Sequence, residues 1–352
     1  MVAEHDPISP PTIGITMGDP LGIGPEVLVK ALEEARGRTD ARFVVYGCNE
    51  SLTLTADRLG MKPKWSRIPH DSPRLELPIR DHVLVRDYPL PTSLRSCQTG
   101  PTIAGGRLSR SLVEDAVDDA MTDEEHPRHV DAVVTGPINK TAWSLAKSRF
   151  PGHTELLAHR TRSRRNSMFF HTDQLLIGLA TAHVPLMDLR NILTIGKVFD
   201  PIDLGNTFCK DLGISRPRIA VCGLNPHAGE DGLLGDEDQR IVAPAIEMAR
   251  NADIDARGPF PADTIFIEAA AGAWDMVVAM YHDQGLIPAK LLGRRKAVNV
   301  TAGIPIIRTS PDHGTAYDIA GRGEADPTSM LSAMQLADRL ARRRKRNTQR
   351  TG

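Results

Sequence analysis

Cysteine is scarce and scattered. The chain has 352 residues but four cysteines, Cys48, Cys97, Cys209 and Cys222, with no CxxC pair. That spacing suggests neither a disulfide framework nor a cysteine-held zinc ion, and a reducing cytoplasm is the expected setting. An excess of either charge is also missing. Lys and Arg number 43 against 44 Asp and Glu, a formal net charge of -1, so the overall balance favours neither nucleic acid nor an anionic membrane. No uninterrupted apolar run approaches a membrane span, and the opening MVAEHDPISPP has neither a basic n-region nor an apolar h-region. The expectation is a protein that is neither membrane-bound nor exported. Absent too are the GxGxxG spacing of a dinucleotide fingerprint and the lysine of a P-loop, although MGDPLGIGPE (17–26) is a glycine-rich turn after a strand-like run. The one local charge excess is five consecutive basic residues, Arg342 to Arg346. A basic run at a helix end suits the macrodipole and stays solvated, so no nucleic-acid partner is expected.

Short apolar runs alternate with longer helical patterns: TIGITM then PEVLVKALEEA, RFVVYG, DAVVTG, QLLIGLAT, RIAVCG and DMVVAM. This rhythm predicts an α/β fold with mostly parallel sheets whose strands are covered on both faces. The length allows two domains. There is no fixed-period repeat, and residues 67–106 read as a proline-rich, poorly periodic excursion.

Three of the twelve histidines share a context. His183 follows LLIGLATA, His227 follows RIAVCGLNP, and His282 follows DMVVAMY. In open α/β sheets, ligands bind outside the carboxyl ends of the strands. Three imidazoles there, with open coordination positions, are what a catalytic divalent metal needs, and nitrogen ligands suit zinc or another transition metal better than magnesium. Asp283, beside His282, and Asp263, in GPFPADT, are placed to orient a ligating histidine or to accept a proton. Asp263 also suits the N-cap of the segment TIFIEAA, and each histidine taken singly is an ordinary surface or core residue.

Signals for an anion accompany them. PGHTELLAHR puts His153 and Thr154 at a helix start, where free N–H groups favour phosphate; Thr154 serves equally well there as a plain N-cap. TGPINK presents Lys140 in the same strand-to-helix setting, and Lys290, Asn299 and Arg308 add two cations and an amide downstream. DHGTAYDIAGRGEADP (312–327) packs glycines around His313 and Asp318, and a carboxylate there suits ribose hydroxyls and repels a 2′-phosphate, favouring NAD.

In their order, MGDPLGIGPE, TGPINK, FPGHTELLA, TAHVPL, CGLNPHAGE, GPFPADT, AMYHDQGLIPAK, VNVTAG and IRTSPDHGTAYDIAGRGEADP resemble the 4-hydroxythreonine-4-phosphate dehydrogenase family of vitamin B6 cofactor synthesis. The resemblance runs from about residue 12 to 340, and the end motifs are similar to those of the wider isocitrate and isopropylmalate dehydrogenase superfamily. It implies oxidation of the C3 hydroxyl of a 4-phosphorylated four-carbon amino acid, followed by decarboxylation. NAD or NADP is the implied oxidant, with one divalent metal per site, zinc first and magnesium or cobalt as alternatives. Implied metal ligands are His183, His227 and His282; implied substrate contacts are His153, Thr154, Lys290, Asn299 and Arg308; Asp263 and Asp283 stand near the metal. Gly22, Gly24, His313, Gly314 and Asp318 fall to the cofactor. A homodimer with shared active sites is implied, His282 serving its neighbour, with the site in an interdomain cleft at the dimer interface. The implied first domain is discontinuous, 11–135 plus 305–345, the second is 136–304, and 1–10 and 346–352 are expected to be flexible tails. Two departures stand out: Asp19 and Leu21 occupy positions where family members often carry Glu and Ala. Related enzymes act on sugar acids such as D-threonate or D-erythronate 4-phosphate, and these motifs do not choose between the two substrates.

Overall fold

Uninterrupted Val, Ile and Leu runs form strands buried on both faces, and helices supply the cover. The computed structural model describes residues 9–78, 81–95 and 99–351, the side chains of 350 and 351 excepted. Most of the expected N-terminal tail (1–8), Cys97 and residue 352 therefore lie outside the described residues. Two compact units emerge, one ending at Ser163 and resuming at Pro305, the other Arg164–Ile304. Residues 136–163, expected in the second domain, belong to the first unit.

The first unit holds strands β1 (Thr12–Thr16), β2 (Arg42–Gly47), β3 (Ser66–Pro69), β4 (Val83–Asp87), β5 (Ala132–Thr135) and β12 (Ile307–Pro311). They pair in parallel in the order β3-β4-β2-β1-β5-β12, with Ile13 opposite both Phe43 and Ala132. Helices α1 (Gly24–Ala35), α2 (Asn49–Arg58), α3 (Thr92–Arg95), α4 (Ile103–Ala120), α5 (Lys140–Leu145), α6 (His153–Arg160) and α12 (Thr328–Thr351) complete it. The proline-rich excursion is not structureless: β4 lies inside the sheet with Val83, Leu84 and Val85 buried. Nor is 346–351 a loose tail, since α12 continues to Thr351. Its basic run is largely tied down: Arg342 pairs with Asp40 and with Asp338 (2.8 Å), Lys345 with Asp131 (3.0 Å), and Arg344 donates to the Pro305 carbonyl (3.0 Å).

The second unit holds β6 (Ser167–His171), β7 (Leu176–Leu179), β8 (Ile219–Cys222), β9 (Ala256–Phe260), β10 (Met276–Ala279) and β11 (Val298–Ala302), in the order β11-β6-β7-β10-β8-β9. β6 runs antiparallel to both β11 and β7, while β7, β10, β8 and β9 are parallel. Its helices are α7 (Leu189–Ile192), α8 (Ile195–Leu212), α9 (Ala243–Asn251), α10 (Ala262–Ala270) and α11 (His282–Gly293). Ile177, Leu179, Val277, Ile265 and Leu286 meet in its core. Gly285 lets α11 lie close on β7, because a Cβ there would sit 2.9 Å from both Ile177 Cγ2 and Leu179 Cδ2.

Glu26 shows how the glycine-rich segments of the first unit are held. It is 2% exposed, accepts from the backbone N–H of Gly323 (3.2 Å) and Ala325 (2.8 Å), and pairs with Lys30 (2.8 Å). Lys30 in turn donates to the carbonyls of Gly323 and Ala325. Glu26→Ala strands these donors, so a loss of about 2–4 kcal/mol in unfolding free energy is expected by denaturant titration. A change within about 0.5 kcal/mol would mean that water replaces the carboxylate.

Candidate active site

The three strand-end histidines leave neighbouring strands. His183 follows β7, His282 follows β10 and His227 follows β8, and these three strands are adjacent and parallel. Parallel strands about 4.8 Å apart therefore deliver all three residues to one edge. The rings of His183 and His282 stand 5.7 Å apart. Two imidazoles bound to one tetrahedral ion through nitrogens at roughly 2.0–2.1 Å have centroids at about this separation. His227 and His282 each engage a carboxylate through Nδ1, Glu230 at 2.6 Å and Asp283 at 2.7 Å, which leaves Nε2 outward as a potential ligand. Among the described residues no group of three or more His, Cys, Asp or Glu side chains is arranged to hold a metal ion. One chain thus offers the right donors without closing a three-ligand set.

His227 owes its direction to an unusual turn. His227, Ala228, Gly229, Glu230 and Asp231 all have φ between 45° and 86°. Left-handed backbone costs L-residues about 1–2 kcal/mol each, so the surroundings must hold it. Asp238, 1% exposed, accepts from the N–H of Leu224 (2.6 Å) and Asn225 (3.0 Å) just before the turn. Gln284 joins the neighbouring edge, donating to the Gly223 carbonyl (2.8 Å) and accepting from the Met280 N–H (2.7 Å).

Other second-unit positions depart from the local readings. Asp283 is exposed at the second position of α11, and Lys290 lies on the same helix, about 12 Å further along its axis from His282. Asp263 occupies the first turn of α10, whose N-cap is Pro261. Asn299 sits on β11 opposite Phe170.

In the first unit, His153 and Arg308 meet. Arg308, 4% exposed on β12, donates from Nε (3.1 Å) and Nη2 (2.6 Å) to the Thr135 hydroxyl, and its Nη2 lies 3.3 Å from His153 Nδ1. Burial pushes Arg308 down to about 9, still charged at neutral pH. Burial, then the charges of Arg308 and Lys140, hold His153 well below the ordinary imidazole value, so it is neutral. Trp143 packs edge-on against it, with its own N–H bound to Ser109 (3.0 Å). The N-cap of α6 is Gly152, not Thr154, which lies within the first turn.

The positions expected to serve a cofactor divide into two kinds. Gly22 closes on Thr315, whose carbonyl would be 2.8 Å from a Cβ, and the Ile23 N–H donates to that carbonyl (2.9 Å). Gly24 is buried against the Met17 carbonyl, which gives it a packing role. Gly314 and Asp318 are exposed, and His313 Nδ1 contacts the Gly314 carbonyl at 3.1 Å. Asp19, fully buried, ties the 17–26 turn to this segment by accepting from the Tyr317 hydroxyl (2.9 Å).

A family model described as "Pyridoxal phosphate biosynthetic protein PdxA" matches residues 40–337. The chain belongs to the PdxA family. Among its relatives, the D-threonate 4-phosphate dehydrogenase of Salmonella typhimurium is 44% identical over 331 residues, 94% of this chain and 99% of that protein. The 4-hydroxythreonine-4-phosphate dehydrogenase of Desulforapulum autotrophicum is 43% identical over 336 residues, 93% and 94% respectively. A crystal structure of 4-hydroxythreonine-4-phosphate dehydrogenase from Klebsiella pneumoniae aligns with a TM-score of 0.82 at 40% identity, covering 96% and 99%. The chain is an oxidoreductase of this family, and no helix among its described residues is long and apolar enough to cross a membrane.

Sequence reading of this PdxA-family chain passed over Glu230, Gln284 and Thr135. Their signal lay only in contacts that the fold creates. The neutral state of His153 has a measurable consequence. Its folded pKa is depressed, so below the ordinary value of 6.5 the unfolded chain binds a proton that the folded chain refuses. The associated stability is present above pH 6.5 and is lost as pH falls through that value. His153→Gln is expected to flatten the decline in denaturation midpoint between about pH 7 and about pH 5; an unchanged decline would show a solvated imidazole.

Proposed function

We propose that this chain is a metal-dependent dehydrogenase of a 4-phosphorylated four-carbon 3-hydroxy acid, 4-phosphohydroxy-L-threonine in the first reading, with NAD or NADP as hydride acceptor. The observation that carries it is the delivery of His183, His282 and His227 to one edge by adjacent parallel strands, with two of the imidazoles set by carboxylates. A second reading, D-threonate 4-phosphate, is favoured by the equally high identity to relatives named for that activity.

In this reading His183, His227 and His282 hold a divalent ion, zinc first. Such an ion supplies Lewis acidity, lowering the pKa of the C3 hydroxyl and polarising the resulting ketone. Asp283 is engaged with His282, so Asp263 or a bound water accepts the hydroxyl proton while hydride leaves C3 for the nicotinamide. The product is a 3-oxo acid, which loses carbon dioxide readily. His153, Thr154, Lys290, Asn299 and Arg308 orient the acid through its anionic ends. Gly22, His313, Gly314 and Asp318 face the dinucleotide, and the exposed Asp318 carboxylate favours NAD by repelling a 2′-phosphate.

Association into a homodimer with shared sites belongs to the same reading. Of the fifteen exposed large apolar side chains among the described residues, ten lie in the smaller second unit. Ile267 on α10 and Ile287 and Leu291 on α11 are among them. Concentrated exposed apolar surface marks association sites. Leu291→Asp is expected to yield a folded monomer with little activity, read by light scattering; an active dimer would place the interface elsewhere.

The deciding experiment incubates metal-reconstituted protein with NAD and each acid in turn, following nicotinamide reduction. Turnover of the amino acid supports the first reading, of the sugar acid the second, and of neither sinks both. His282→Ala should lose bound metal and turnover together. Glu230→Gln should bind metal roughly 10–100-fold more weakly by chelator competition, and unaltered affinity would deny His227 its ligand role.

A further inference from the structure

The start of α6 combines three features that point to one kind of ligand. A guanidinium only donates, so the contact with Arg308 makes His153 Nδ1 an acceptor and places the imidazole proton on Nε2. Nε2 is buried and has no hydrogen-bond partner. The ring therefore carries a buried, unpartnered N–H donor and meets a buried cation through its other nitrogen. The helix behind it also lacks a side-chain cap, because Gly152 provides none, and the first-turn N–H groups stay available to an anion.

Lys140 is the third feature. Asn139 caps α5 by accepting from the Ala142 N–H (2.9 Å), which sets Lys140 at the first position of that helix. Its Cε lies 3.5 Å from where a Cβ on Gly152 would be, so the ammonium stem crosses the mouth of α6. Lys140 is exposed and joins none of the ion pairs of the described residues. Its charge nevertheless reaches His153 and, with burial and Arg308, keeps that ring neutral.

We propose that Lys140 is a phosphate-selecting residue, which with Arg308, the His153 Nε2–H and the first turn of α6 forms the subsite for the phosphate end of the substrate. This rests on the dehydrogenase reading above and deepens it. Charge decides which end of the substrate lies here. Two fixed cations match a phosphate that is close to dianionic at neutral pH, whereas a carboxylate would leave one cation in excess. Glu155 is an acidic group beside Gly152, its Oε2 3.7 Å from the same point, and without Lys140 its charge would oppose an incoming dianion. Thr154, also in the first turn, adds a hydroxyl donor.

The test uses full-length Lys140→Met and Lys140→Arg proteins, with circular dichroism to check the fold. Inorganic phosphate is titrated into each while the His153 C2–H resonance, assigned by its loss in His153→Gln, is followed by NMR. KM and kcat are measured with whichever phosphorylated acid the unsubstituted protein oxidises. Lys140→Met should weaken phosphate binding about tenfold or more and raise KM in parallel, with kcat within about threefold. Lys140→Arg should recover most of both, and the His153 titration should move to higher pH in Lys140→Met. Phosphate binding indifferent to Lys140→Met, a fall in kcat at constant KM, or no recovery in Lys140→Arg would each overturn the proposal. The phosphate titration needs no turnover. Failure of the dehydrogenase reading would show as no nicotinamide reduction with phosphate binding intact; failure of the subsite would show in phosphate binding itself.

Discussion

Parallel pairing of β7, β10 and β8 is the constraint on which the second unit depends. Val277 of β10 lies opposite Ile177 on one side and Ala220 on the other, so the three strands end almost in line. Parallel strands must return through crossovers, and every carboxyl end therefore opens onto the same edge. The residues that follow inherit that position from backbone hydrogen bonding alone. Gln284 then stitches the edge together, since one side-chain amide bonds both the Met280 N–H and the Gly223 carbonyl. Removing side-chain chemistry from any single histidine would leave this frame standing, which is why function and stability are separable here.

Much of this frame was legible in the chain. Each of the three strands is a short run of buried aliphatics broken by a histidine a few residues on, and that pattern needs no tertiary information. The strand order was not legible, because β10 inserts between β7 and β8 although β8 and β9 precede it in sequence. Nor was the backbone at 227–231: HAGED contains one glycine, yet five residues adopt left-handed angles, held by the buried Asp238 carboxylate more than ten residues away from Leu224. The carboxylate at Glu230 reaches His227 only because of that turn. Flanking prolines hid β4. In each case tertiary packing overrode local propensity.

The histidines stand in two kinds of surroundings, which suit two kinds of chemistry. His153 is enclosed by Trp143 and Arg308, has no carboxylate partner at either nitrogen, and stays neutral. His227 and His282 are placed at the surface with a carboxylate on Nδ1. A neutral ring beside a guanidinium is suited to donating one hydrogen bond without adding charge. A ring backed by a carboxylate is the more basic ligand. Exchanging the two environments would spoil both: a carboxylate near His153 would repel an anion, and a guanidinium near His282 would repel a metal.

Helix α11 joins these arguments to association. Its buried face, Gly285, Leu286, Ala289 and Gly293, packs on the sheet, and its first residue is His282. The opposite face exposes Ile287 and Leu291 at i, i+4 spacing, with Lys290 between them. A helix anchored along one side by small residues moves as a unit, so whatever covers Ile287 and Leu291 also steadies the imidazole at its N-terminus. In the proposed dimer, burying that apolar face and fixing His282 are therefore one event.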